Sequence, residues 1–488
     1  MAKNPADEML FEVDGEDEPP VAKAPAGRSK TFRHYDPAQS FLLPPSLDDW
    51  LPEDHTARFI AEVVDNQLDL SAIYDSYVNA TGAPPYDPSM MLKLLLFAYS
   101  TGVTSSREME RRCHVDVAFR WLSANSAPDY RSISRFRRRH LVAVDDLFTQ
   151  VLTLCAEAGL VRLGRVALDG TKLRASASRH KAMSHDRLGP KIEQLQAEVA
   201  AILAEAEATD QAEDAEFGED RRGDEVPAEL ARRETRLVKM RAAKEAIEAD
   251  AREKAAAKAA AKAEAEGRDE AAITEAAETA AAKATPDKKA QRNFTDPESR
   301  MMKTNAGFHY CYNAQAVVDE ESQVVLAARV TQQANDIDQL LSMVGTTEAN
   351  LDDAGIDGSP EVVLADAGYC SEANLQQITD AEINALIATG RIRRGERVPD
   401  APRGPIPKNA TQRERMARRL RTKQGRVDYA RRKAIVEPAF GQMKVRQAAG
   451  QLRLRGMAGA QGEWTLHVIC HNLRKLANAT HRVPVGAS

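Results

Sequence analysis

Two short apolar runs in this chain each lead into an aspartate. Val166-Ala167-Leu168 runs into Asp169-Gly170, and residues 361–365 run into Asp366. Runs of this length and apolarity, bounded by turn residues, read as buried strands, with Asp169 and Asp366 closing them. Carboxylates at the ends of neighbouring strands are what a two-metal phosphoryl-transfer site needs. Mg²⁺ is a hard ion that takes oxygen ligands, and two ions roughly 3.5–4 Å apart clamp the attacking and leaving oxygens of an in-line displacement. A third acid should then come from a helix packed nearby. Glu437 is the best placed, with Asp428 and Glu414 left open as alternatives. An Asp-Gly after a strand is also an ordinary turn, and a single Glu before proline is usually silent. The joint pattern therefore carries the reading, and no one residue does.

These acids need a frame. From Thr31 to Gly159 the pattern is helical: Met90, Met91, Leu94, Leu95, Ala98 and Tyr99 recur at the spacing of one helix face, after Pro84, Pro85 and Pro88. Ser105 or Ser106 can cap the next helix. At Val161 the grammar changes to strands. Residues 312–318 and 323–331 form a hairpin across Asp319-Glu320-Glu321-Ser322, helical spacing returns at 336–344, Ser371 caps a further helix, and 383–387 is another strand. This order predicts a mixed α+β chain with a mixed sheet covered by helices. A low-complexity Ala/Glu/Lys/Arg segment interrupts it between the first and second strands. There Ile192, Leu195, Val199 and Ile202, with Leu230, Leu237, Met240 and Ile247, predict two antiparallel helices packed as a coiled-coil hairpin around a polar break at Gly218, Gly223 and Pro227. The Ala-rich stretch 253–283 lacks a seam and is expected to be a loose helix. The resulting segments are an acidic tail expected to be disordered (1–30), an all-α domain (31–159), a mixed α/β core (160–190 and 291–480), the helical insertion (191–290) and a tail (481–488).

The net charge of −6 hides basic segments. Residues 391–433 hold sixteen basic against four acidic residues, and residues 107–140 nine against four. Such asymmetry reads as basic faces for a polyanion. A short helix carrying Arg131, Arg135, Arg137, Arg138 and Arg139 suits phosphate clamping or groove reading. Five scattered cysteines without a C-x-x-C pair, no apolar leader and no run of about 20 apolar residues point to a reducing cytoplasm and no membrane. His467, Cys470 and His471 lack a fourth ligand and read as core; His180 and His185 share that weakness. No P-loop, dinucleotide fingerprint or nucleophile elbow is present, so no nucleotide cofactor is expected.

Several ordered blocks carry a family resemblance: Ala167-Leu168-Asp169-Gly170-Thr171, Leu364-Ala365-Asp366-Ala367-Gly368-Tyr369 and Ile435-Val436-Glu437-Pro438-Ala439-Phe440-Gly441. Met302-Lys303-Thr304 with Gly307-Phe308, Tyr312-Asn313-Ala314-Gln315, and Pro128-Asp129-Tyr130-Arg131-Ser132-Ile133 add to them. Over most of residues 31–477 the chain resembles bacterial insertion-sequence DDE transposases, in particular the eleven-eighty-two family. The resemblance implies a ribonuclease-H-like core in which Asp169, Asp366 and Glu437 are the catalytic and metal-binding triad for two Mg²⁺ ions, with Mn²⁺ able to substitute. It also implies that 31–159 is the all-α DNA-binding domain and 160–190 with 291–480 the catalytic core, with DNA contacts by Lys444, Arg432 and Tyr429. Tyr429 and Arg432 each stand one residue further from the Glu than the family signature has them, whereas Lys444 keeps its distance. The implied partners are the element's terminal inverted repeats and target DNA, with a homodimer in the synaptic complex, in a nucleoid-associated cytoplasmic protein. Pro438 directly after the Glu implies a kink or a restarted helix. The rival expectations are an inactive transposase-derived DNA-binding protein and a metal-dependent nuclease without strand transfer.

Overall fold

A computed structural model describes residues 46–77, 84–178, 181–217, 228–390, 400 and 403–480. The acidic tail, the tail 481–488, His180, the polar break at 218–227 and part of the basic segment (391–399, 401–402) lie outside the described residues. So does the side chain of Leu230.

Eight helices come first: α1 Leu47–Trp50, α2 Thr56–Asn66, α3 Ser71–Asp75, α4 Pro88–Ser100, α5 Ser106–Val115, α6 Val117–Leu122, α7 Tyr130–Arg139 and α8 Ala143–Glu157. Local chemistry sets several starts. Asp87 accepts from the Met90 amide with Pro88 at the first helical position, and Asp116 and Asp129 cap α6 and α7 in the same way. These side chains take up amides that the first helical turn leaves without partners.

The strands follow. β1 is Arg165–Arg174, and it corrects the expected turn: Asp169 and Gly170 lie in mid-strand, with Gly170 opposite Gln315. Gly170 is a glycine because side chains cross its face. A Cβ there would sit 2.6 Å from Asp336 Oδ1 and 3.0 Å from Asn313 Oδ1, and closer still to Gln315 Nε2. β2 Ala182–Ser184 and β3 Gln291–Asn293 pair as a clasp around α9 His185–Phe217, α10 Ala228–Ala265 and α11 Glu270–Ala282. Leu188, Ile192, Leu195, Leu237, Met240 and Ile247 form a small separate core between α9 and α10. The Ala-rich stretch is no loose tail: α10 runs through to Ala265, and α11, capped by Asp269, folds back on it.

The remaining elements are β4 Arg300–Thr304, β5 Gly307–Asp319, β6 Val325–Thr331, α12 Leu340–Asp353, β7 Val362–Ala365, α13 Glu372–Asp380, β8 Ala385–Ile387, α14 Gln412–Arg421, α15 Lys423–Arg446 and α16 Gly456–Thr480. The main sheet runs β4-β5-β1-β7-β8, with β6 also on β5. β1, β7 and β8 are parallel, and β5 is antiparallel to β1, β4 and β6. β6, β1 and β7 therefore point the same way, and their carboxyl ends share one edge of the sheet. One hydrophobic core extends from Leu51 to Leu476, so the N-terminal helices and the sheet are not separately cored. α16 lies at its centre, packed on α4, α8 and β6. Its amides also cover the outer edge of β6. Asn472 accepts from the Val325 amide and donates to the Val325 carbonyl, while Gln461 accepts from the Val330 amide and donates to the Ala328 carbonyl. Among the described residues no helix is long and apolar enough to cross a membrane.

α15 runs unbroken through Pro438. Proline has no amide to give the carbonyl four residues back. Here Gln323 Nε2 donates to that carbonyl, Ala434 O, at 3.2 Å.

Candidate active site

β1 and β7 are adjacent and parallel, in register through Leu168 and Ala365. One step further along that register stand Asp169 and Asp366. β7 ends there because Asp366 caps a short turn, accepting from the Gly368 amide at 2.7 Å. Asp169 accepts from the Gly170 amide at 2.8 Å through Oδ1 and from Arg432 Nη1 at 2.9 Å through Oδ2. Burial lifts the Asp169 carboxyl above its ordinary range despite Arg432, and the nearby Asp366 adds to the lift.

α15 lies along β1 and delivers further groups. Asp428 pairs with Arg165 at the strand's start, Arg432 with Asp169 in its middle, and Lys444 reaches the Thr171 hydroxyl beyond. Tyr429 stands beside Arg432, its hydroxyl titrating upward because it is buried. Glu437 lies on the helix between Arg432 and Lys444, seven residues before Lys444 and so on the same face. It is exposed. Among the described residues it has no hydrogen bond or ion pair, and no three His, Cys, Asp or Glu side chains stand close enough to hold an ion. The alternative third acids are committed elsewhere: Asp428 to Arg165, and Glu414 to a capping box with Thr411 at the start of α14.

A metal fit can be judged from the donors. Mg²⁺ is commonly held by one or two carboxylates, with water and phosphate oxygens completing its shell. Asp169 and Asp366 supply such a pair of hard oxygens. Nearby, the fully buried Asn313 leaves its Oδ1 with no donor, although its Nδ2 is satisfied by Asp336 and two backbone carbonyls. The residues present fit a divalent cation.

Sequence reasoning missed Asp336. It follows β6 by five residues, at the same edge of the sheet as the other two aspartates, and accepts from Asn313, Gln315 and Lys172. The available signal was only its place five residues past a strand-like run; that this strand lies parallel to β1, with ligands expected at such carboxyl ends, is seen in the structure.

Two of the expected DNA contacts are buried. Arg137 is buried, with Nη1 donating to the Tyr99 hydroxyl at 2.7 Å and to Thr104 O at 2.9 Å, and Tyr99 in turn donates to the buried Glu463. It lies on the inner face of α7 with Ile133 and Phe136. Arg432 is also largely buried, its Nη1 paired with Asp169. Arg139 is exposed but held, donating to Ser76 O and lying 4.2 Å over the Tyr77 ring. Arg131, Arg135 and Arg138 form an exposed stripe along α7. Arg107 on α5 and Arg131 both lie against the Tyr130 ring, at 4.9 and 5.7 Å. His467, Cys470 and His471 are core residues. Burial pushes His467 down to about 3 and His471 to about 4, so both stay neutral.

Residues 45–139 match the family model of a transposase domain (DUF772), and residues 281–473 match that of a transposase DDE domain. No curated protein and no solved structure matches the chain. Its N-terminal helices are thus similar to one transposase domain, and most of its sheet, with α12 to α15, to another. Asp336, Asp366 and Glu437 fall inside the second match; Asp169 falls between the two.

Proposed function

We propose that this protein is an insertion-sequence transposase of the eleven-eighty-two family with a ribonuclease-H-like core. It binds the terminal inverted repeats of its element, cleaves at the ends to free 3′-hydroxyls and joins these to target DNA. The observation that carries the reading is the pairing of Asp169 and Asp366 at neighbouring positions of parallel strands, in a chain that matches a transposase DDE domain. Bound at these carboxylates and Glu437, two Mg²⁺ or Mn²⁺ ions supply Lewis-acid polarisation of the scissile phosphate and a more acidic attacking oxygen. The chain's own residues do the rest. The sheet fixes Asp169 and Asp366, and Lys444 sets a cation beside Thr171 for the phosphate backbone. Glu437 completes the triad from α15, and the stripe Arg131, Arg135 and Arg138 takes duplex phosphates. Two chains pair in the synaptic complex, with the insertion α9–α11 as the added surface.

A second reading, a DNA-binding protein without catalysis, draws on the distance of Glu437 from the aspartates and on Arg432 occupying Asp169. A labelled DNA carrying the terminal repeat separates the two. Wild type with Mg²⁺ should give nicked and strand-transfer products. Asp366→Asn and Glu437→Gln should give none while still shifting the DNA, because an amide keeps the shape and loses the charge. Binding without products from the wild type would favour the second reading; nicks without joined products would make it a nuclease. In the same assay, replacing Arg131, Arg135 and Arg138 with Ala should weaken binding and reduce the log–log salt slope by about 0.9 per lost phosphate contact. An unchanged slope would remove α7 from the DNA interface.

A further inference from the structure

We infer that Asp336 is a fourth carboxylate of the metal site, an inference that rests on the proposed metal-dependent reaction.

The reason lies in an imbalance of donors and acceptors. Asp336 Oδ1 is fully engaged, accepting from Asn313 Nδ2 at 2.6 Å, Gln315 Nε2 at 2.8 Å and Lys172 Nζ at 3.5 Å. Gln315 is held in turn by the Tyr369 hydroxyl on its other amide atom. The carboxylate is partly exposed, so its second oxygen is open to water or an ion and needs no protein donor. Among the described residues, Asp336 Oδ2 has none. It looks instead toward Gly368 and Asp366: a Cβ on Gly368 would lie 2.9 Å from Asp366 Oδ1 and 3.4 Å from Asp336 Oδ2. The two acids thus flank a point kept open because the residue there is glycine.

A second, independent observation points the same way. Asn313 is fully buried and its Oδ1 has no partner, an arrangement that is costly unless something fills it. That oxygen would lie 3.0 Å from a Cβ on Gly170, and the same Cβ would lie 2.6 Å from Asp336 Oδ1. Unmatched acceptors therefore gather on the Gly170 side of β1, next to Asp366. Spare acceptors without donors call for a cation. Asp336 lies on the opposite side of β1 from Arg432, so its charge adds to the site from the face that α15 does not reach. Its clamped Oδ1 leaves Oδ2 to hold an ion or the water on it.

The probe is Mn²⁺ alone, titrated into the full chain by calorimetry, with melting temperature as the control for folding. Asp336→Asn keeps an acceptor for the three donors and removes the charge at Oδ2. It should weaken Mn²⁺ binding by about 10–100-fold, the usual effect of losing a supporting carboxylate. Lys172→Met removes the cation that competes for Asp336 and should tighten Mn²⁺ binding several-fold, an effect misfolding cannot mimic. Asp366→Asn separates the two ideas. If it abolishes Mn²⁺ binding while Asp336→Asn stays within twofold of wild type and Lys172→Met changes nothing, Asp336 is only an anchor and this inference is overturned. If Asp366→Asn also leaves Mn²⁺ binding unchanged, the proposed metal-dependent function falls, and the role of Asp336 falls with it.

Discussion

Asp169 and Gly170 are neighbours in β1, yet they look into opposite environments. On the Asp169 side the partners are long cations carried by one helix: Arg432 on the carboxylate and Lys444 on Thr171. On the Gly170 side short side chains from β5 and the loop after β6 are locked together, with Asn313, Gln315 and Asp336 so close that a single methyl would collide. Long, flexible side chains can exchange partners at low cost; a buried network of amides cannot. One face of the site is thus held by a locked network, while the other is held by side chains that could exchange partners if DNA and metal bind as proposed.

The largest expected effects test the two faces directly. Asp169→Asn should abolish DNA cleavage while lowering the melting temperature little, because burial already disfavours the charge it removes. Gly170→Ala, a change of one methyl with no charge, should destabilise the fold by about 1–3 kcal/mol through overpacking and also abolish cleavage. Chemical denaturation and an end-cleavage assay on the same two proteins check this. Similar stabilities for the two variants would erase the contrast. A smaller effect is expected at Arg432. Arg432→Gln should let Mn²⁺ bind several-fold more tightly, since the guanidinium no longer occupies Asp169, while end cleavage falls. Unchanged Mn²⁺ affinity in calorimetry would mean that the α15 side is as fixed as the other.

The strand order around the two aspartates is legible in the sequence because each strand announces itself locally, as an apolar run closed by a polar residue. What fails to show is whatever depends on a distant part of the chain. Asp169-Gly170 reads as a turn, and only the side chains crossing from β5 explain a glycine in mid-strand. Arg137 belongs by spacing with Ile133 and Phe136, yet its buried partners Tyr99 and Glu463 come from α4 and α16. Asp336 has no apolar run of its own to mark it; its place beside the two aspartates appears only when β6 is seen to run parallel to β1. The Ala-rich stretch 253–283 lacks large apolar residues, and alanine faces that let α10 and α11 pack closely give no heptad seam to read.

The amides with which α16 covers β6 bear on how two copies could meet. An uncovered edge strand is a template on which another chain can add a strand of its own. Along β6 the Val325 amide and carbonyl are both taken by Asn472, and Gln461 holds the Val330 amide and the Ala328 carbonyl. Each of these side chains donates and accepts at once, as a neighbouring backbone would. α16 thus acts as a dummy strand, and a second chain would have to displace both amides before it could extend the sheet there. Self-association by sheet extension at the β6 edge is thus blocked, so the proposed pairing of two chains would have to use another surface.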